Sequence, residues 1–272
     1  MTTGLHVVDS GAGAPAVLLH SSGMSGRQWR RLASKLVESG IRAIVPDLSG
    51  HGSSAEWPEE KPFSFHLDVE RVAALLESLD EPAHLVGHSY GGFIALQAAI
   101  AAPSRVRSLA LFDPVAFGTL DAAADADARR DLLKVKLSWD ATPQGREGWL
   151  ELFVDYWGGP GAWAGLREDF RAEFRRVAWV VFEGVRTLAA DRTPASAYAT
   201  LRAPALLVTG QHSPPAARMV IRRLRESLAG ARVETIPGAG HMAPLTHTDA
   251  VNELVLRCLT SVSAEDLTSA RR

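Results

Sequence analysis

The stretch "LVGHSYGGF" (residues 85–93) places Gly87, Ser89 and Gly91 in the order G-x-S-x-G. An apolar run leads into it and an apolar, helix-forming run leaves it, so Ser89 is predicted at the tip of a sharp strand-to-helix turn. Small residues two positions before and after let the chain pass close to itself there. The helix beginning past Ser89 turns its free N–H groups and positive end toward the same point. That arrangement suits a nucleophile attacking a carbonyl; an ordinary glycine-rich turn would only bind. A serine hydroxyl needs a base to take its proton, and the chain has nine histidines. His241, in "IPGAGHMAP", falls in a loop between the last strand-like run and the last helix-like run. His247, just ahead of that helix, is the second candidate. His88 should point away from its neighbour Ser89, His20 ends a strand and His51 sits in a turn.

Strands and helices must bring these distant residues together. Through residue 113, apolar runs of strand length (15–20, 41–48, 83–89 and 106–113) alternate with helix-length amphipathic segments (27–39, 66–79 and 91–102). The rhythm resumes with a strand at 204–210, a helix at 217–230, a strand at 231–238 and a helix at 249–262. Continuous apolar strands joined by helical crossovers predict an α/β fold, a mostly parallel doubly wound sheet covered on both faces. Residues 114–203 break the pattern. They read as a helical insertion on a core made of residues 1–113 and 204–272. The insertion carries Trp139, Trp149, Trp157, Trp163 and Trp179, five of the seven tryptophans. Most of these rings should simply pack, while some could line an apolar pocket above the sheet.

Composition narrows the partners. A chain of 272 residues can bury a large core, and 46% apolar with 22% charged residues is ordinary for a globular protein. A formal net charge of −2 gives no basic field for nucleic acid. The single Cys258 precludes an internal disulfide and a cysteine metal site. No run approaches the roughly 18–20 apolar residues that cross a bilayer, and the N-terminus has no signal-peptide pattern. The expectation is a cytoplasmic protein acting on a small-molecule substrate, without membrane, metal or cofactor.

Three stretches together, "VGHSYGG", "PDLSGHGSS" (46–54) and "GAGHMAP", resemble the capped serine hydrolases of the α/β-hydrolase fold superfamily. The likeness covers nearly the whole chain outside the insertion. It implies Ser89 as nucleophile and His241 as base, with an oxyanion hole built from the Ser22 and Tyr90 N–H groups. Ser21 departs from the family's usual glycine in "LLHSSGMSG". Asp47 and His51 are by this resemblance turn-holding residues. In most relatives the third triad member follows the strand that matches "ALLVTG", but here the loop is "GQHSPP", with no carboxylate. A known variation puts the acid one strand earlier, which implies Asp113. Glu234, Asp191 and Asp249 are weaker candidates, and a Ser–His dyad stays open.

The expected activity is cleavage of a carboxylic ester or related acyl bond of a small hydrophobic substrate through an acyl-enzyme. The same residues would also serve C–C bond, lactone or thioester hydrolysis, or acyl transfer. A ligand-binding protein without catalysis is the remaining alternative. Serine at the elbow argues against the haloalkane dehalogenase and epoxide hydrolase branches, which the resemblance associates with aspartate there.

Overall fold

The computed structural model describes residues 4–135 and 137–269. Seven strands form one sheet: β1 (His6–Ser10), β2 (Pro15–Leu19), β3 (Arg42–Asp47), β4 (Ala83–His88), β5 (Val106–Phe112), β6 (Ala205–Gly210) and β7 (Arg232–Ile236). Their order is β1-β3-β2-β4-β5-β6-β7, with β1 antiparallel to β3 and every other pairing parallel. The sequence reading finds six of these strands and misses β1, whose five residues "HVVDS" are mostly exposed and carry no apolar run.

Among the described residues, eight helices longer than one turn accompany the sheet. They are α1 (Arg30–Glu38), α2 (Phe65–Glu77), α3 (Tyr90–Ala101), α4 (Ala126–Leu132), α5 (Pro143–Gly158), α6 (Glu168–Ala190), α7 (Pro215–Ser227) and α8 (Thr248–Ser269). Central strands alternate their side chains between two apolar layers. In β5, Leu109 and Leu111 face the layer that contains α2, α3 and α7, while Ala110 and Phe112 face the layer of α1 and α8. Both faces are therefore covered, and β2, β4 and β6 are buried along their whole length.

Among the described residues no strand interrupts the stretch between β5 and β6. It holds α4, α5, α6 and three short helical turns, and its aromatic rings pack on one another. The Trp139 ring lies 4.9 Å from Phe182, and Trp149 stacks on Phe153 at 5.3 Å. A buried carboxylate ties this segment to the sheet layers: Asp125 receives Arg223 of α7 through two 2.9 Å bonds. Bidentate pairing of this kind fixes orientation as well as distance.

Because the strands run parallel, β4, β5, β6 and β7 end at the same sheet edge, side by side. Ser89 directly follows β4, Asp113 follows β5, Ser213 lies just past β6 and His241 follows β7.

Candidate active site

The turn at Ser89 is built from its glycines. Ser89 has φ 54° and ψ −116°, a left-handed conformation that side chains rarely adopt. Its N–H donates to Phe112 O at 2.9 Å and its carbonyl accepts from Phe93 N at 3.0 Å, so the neighbouring strand β5 and the following helix α3 pin it. A Cβ on Gly91 would meet Leu19 O at 2.3 Å, and one on Gly87 would meet Gly91 O at 2.6 Å. The motif spacing thus has a steric cause: the elbow closes only if both positions lack side chains.

His241 and Asp113, 128 positions apart, meet at this edge. The His241 ring is 2% exposed, and its Nδ1 lies 3.2 Å from Asp113 Oδ2. A carboxylate at this spot accepts, so Nδ1 carries the proton and Nε2 is left as the basic nitrogen. Asp113 is fully buried, follows β5 with φ 41°, and is fixed by its own N–H donating to Val208 O at 2.9 Å. The "GQHSPP" loop supplies a further partner: Ser213 Oγ donates to Asp113 Oδ2 at 2.5 Å and accepts from Gly210 N at 3.1 Å. Nothing in the sequence of this loop marks Ser213 for this contact. His212 does act in the turn, its N–H donating to Ala239 O at 2.7 Å.

The oxyanion-loop candidates fall beside the elbow. Ser22 and Ser89 line the same cavity, and neither the Ser22 nor the Tyr90 amide donates to an acceptor among the described residues. Three buried histidines hold this loop and the loop of His241. His20 donates from Nδ1 to Ser21 O at 2.8 Å and accepts Leu48 N at Nε2. His51 donates from Nδ1 to Ser49 O and accepts Gly23 N at Nε2. His88 donates from Nε2 to His241 O at 2.9 Å and accepts Gln28 Nε2 at Nδ1. The acceptors require one nitrogen of each ring to stay unprotonated. Burial acts the same way: it lowers His20, lowers His51 to about 4 and lowers His88 well below the ordinary histidine range.

Gln28 completes a bridge. Its Oε1 accepts both the N–H and the hydroxyl of Ser21, at 3.1 and 3.2 Å. Ser21 in place of glycine thereby gains a specific partner, and the chain Ser21–Gln28–His88–His241 O connects the two loops. Asp47 and His51 hold the turn as expected. Asp47 accepts Gly26 N and Ser53 N through its two oxygens, at 2.7 and 2.8 Å. Tyr90 is anchored by its side chain, its hydroxyl donating to buried Asp68 Oδ2 at 2.8 Å. Burial raises the Asp68 carboxyl, and burial together with Asp68 raises the Tyr90 phenol far above its usual range.

A cavity of about 410 Å³ opens above Ser89. Its lining is mostly apolar, with Val115, Phe117, Leu120, Phe153, Trp157 and Leu188 among the lining residues, though Arg129, Arg130, Asp191 and Arg192 also line it. The other acid candidates lie apart from the Asp113–His241 pair: Glu234 is exposed within β7, Asp249 starts α8, and Asp191 caps the end of α6 with its Oδ1 accepting Thr193 Oγ1. His247 is partly exposed, its Nδ1 beside Thr246 Oγ1. Among the described residues no group of three or more His, Cys, Asp or Glu could hold a metal ion. No helix is long and apolar enough to cross a membrane, again among the described residues.

Lipase LipV of Mycobacterium tuberculosis is 43% identical over 117 residues, 42% of this chain and 43% of that protein. The 2-hydroxymuconate semialdehyde hydrolase of Pseudomonas sp. strain CF600 is 42% identical over 113 residues, 40% of this chain and 38% of that protein. The chain thus spans less than half the length of these two relatives. The crystal structure of BpoC from Mycobacterium tuberculosis superposes with a TM-score of 0.70 at 26% identity, covering 95% of this chain and 96% of that one. Residues 16–254, which run from the second strand through the elbow and the histidine loop, match the family described as Alpha/beta hydrolase, and the chain belongs to that family.

Proposed function

We propose that the protein is a serine hydrolase that cleaves a carboxylic ester, or a related acyl bond, of a small hydrophobic substrate through an acyl-enzyme. The observation that carries this reading is the 3.2 Å pairing of His241 Nδ1 with Asp113 Oδ2 at the sheet edge where Ser89 sits on its strained turn. Ser89 Oγ attacks the substrate carbonyl while His241 Nε2 takes its proton. Asp113 holds the Nδ1–H and offsets the charge that forms on the ring. The Ser22 and Tyr90 amides receive the oxyanion, aided by the positive end of α3. His241 then returns the proton to the leaving alcohol, and water, activated by the same base, releases the acyl group.

The helical stretch between β5 and β6 acts as a cap in this reading, and its apolar cavity wall selects a hydrophobic acyl or alkyl part. The relatives named as a lipase and as a semialdehyde hydrolase support a hydrolase reading.

A fluorophosphonate probe tests the mechanism. The intact protein should be labelled at Ser89, and both Ser89→Ala and His241→Ala should abolish labelling. Labelling that is absent, or that survives Ser89→Ala, would sink the serine mechanism. A panel of esters, lactones and thioesters of graded chain length then separates the substrate classes.

A further inference from the structure

Trp157 does more in this site than form a wall. It lies in the last turn of α5, where Gly159 at φ 97° ends the helix. Its indole meets the His241 imidazole with ring centroids 4.2 Å apart and planes inclined by 33°. Two contacts fix it there. The preceding Tyr156 donates its hydroxyl to Asp131 Oδ2 of α4 at 2.8 Å, and the Phe117 ring lies nearly parallel to Trp157 at 6.4 Å. The indole therefore sits over the base from the helical stretch, while Asp113 and His88 approach it from the sheet edge.

We propose that Trp157 is a catalytic residue: its π face stabilises the imidazolium that His241 becomes when it takes the Ser89 proton. The inference rests on His241 acting as the base. An aromatic face attracts a cation held within about 6 Å of its centroid, and tryptophan gives the strongest attraction. The interaction is strengthened where water is excluded, and His241 is 2% exposed. It also discriminates in the required sense, because neutral imidazole gains little from the quadrupole while the charged ring of the transition state gains much.

Two titratable groups otherwise pack against the His241 ring. Asp113, at the end of β5, binds the Nδ1 edge, and His88, at the end of β4, lies 5.0 Å away between centroids. Burial keeps His88 neutral, so it brings no competing positive charge. Asp113 acts in the plane of the ring and Trp157 on its face, so their effects on the imidazolium are separate.

The experiment is the pH profile of kcat/KM for wild type, Trp157→Phe and Trp157→Leu. Removing the face destabilises the imidazolium, so the ring protonates at lower pH and the acid limb of the profile moves down. Trp157→Leu should move it by about half a pH unit or more and lower kcat/KM at neutral pH about 3- to 10-fold. Trp157→Phe, with a smaller π face, should fall between. A Trp157→Leu enzyme that loses activity with an unmoved limb, or loses none, overturns the proposal and leaves only packing. Should Trp157→Leu fail to fold, a fluorinated tryptophan placed at 157 keeps the shape while weakening the face, and its limb must shift the same way. His241→Ala serves as the separate control: activity that survives it removes the base itself and the hydrolase reading with it, whereas lost activity with an unmoved Trp157→Leu limb removes only the role of Trp157.

Discussion

Asp113 receives the His241 N–H and the Ser213 hydroxyl on one oxygen, Oδ2, while its other oxygen is buried without a partner among the described residues. A buried carboxylate that depends on two donors is sensitive to the loss of either. Asp113→Asn should leave a folded protein whose kcat/KM is down by roughly 10³-fold or more, because the amide can no longer hold the Nδ1–H tautomer. Steady-state kinetics with circular dichroism checks it, and near wild-type turnover would remove Asp113 from the mechanism. Ser213→Ala should cost less in rate but about 1.5–3 kcal/mol in stability, the range for a hydrogen bond to a charged group; urea unfolding measures it. At this scale Ser89 and His241 were legible because each sits in a local motif. Asp113 came only from the family resemblance, whose variant with the acid one strand earlier is invoked because "GQHSPP" holds no carboxylate. Ser213 and Trp157 were not: their partners lie 100 and 84 positions away, and a serine in a turn or a tryptophan in a helix carries no mark of what it will touch.

Loops at the ends of five neighbouring strands supply the site, and what keeps them in register is a set of polar bridges buried beneath them. The Gln28 bridge is the most direct, since it joins the loop at Ser21, beside the proposed oxyanion hole, to the loop of the proposed base at the His241 carbonyl through His88. Gln28→Leu keeps most of the volume but strands the Ser21 N–H and the His88 Nδ1 without partners. Its expected signature is a drop in kcat of about tenfold with a smaller change in KM, because the hole and the base would no longer be held to one geometry. An unchanged kcat would show that each loop is held independently. The same bridge explains why the elements were easier to read than their joints. The five inner strands announce themselves as apolar runs, and helix α3 as an apolar segment after the elbow. Residues 27–39, read as one helix, divide into a 3₁₀ turn at Gly26–Trp29 and α1, and the turn is what aims Gln28 inward. Propensity over a window cannot see that one-turn change.

Across the molecule, buried histidines join the loops and the sheet while staying neutral. His51 and His84 are each lowered to about 4 from the ordinary 6.5, and His20 and His88 are lowered too, with burial the first cause in all four. A depressed folded-state value means that the unfolded chain binds these protons first as pH falls. Stability contributed by the neutral rings is therefore complete above about pH 6.5 and is lost progressively toward pH 4, with each group adding at most ~1.4 kcal/mol per pH unit to the slope. Asp68 works the other way: its carboxyl is raised above 3.8 by burial, so protonation relieves a cost and offsets part of the loss at the low end. Urea midpoints measured from pH 7.5 down to 4.5 should fall steadily below 6.5, and a flat profile would contradict the buried neutral set. His84 isolates the effect from catalysis, since it lies within β4, where its Nδ1 meets Ser108 Oγ at 2.7 Å, away from Ser89 and His241. His84→Leu should flatten the slope between pH 6.5 and 4 while turnover at neutral pH is retained. A slope unchanged in that variant would shift the acid sensitivity onto the loop histidines, and with it the prediction that activity and fold are lost together as the pH drops.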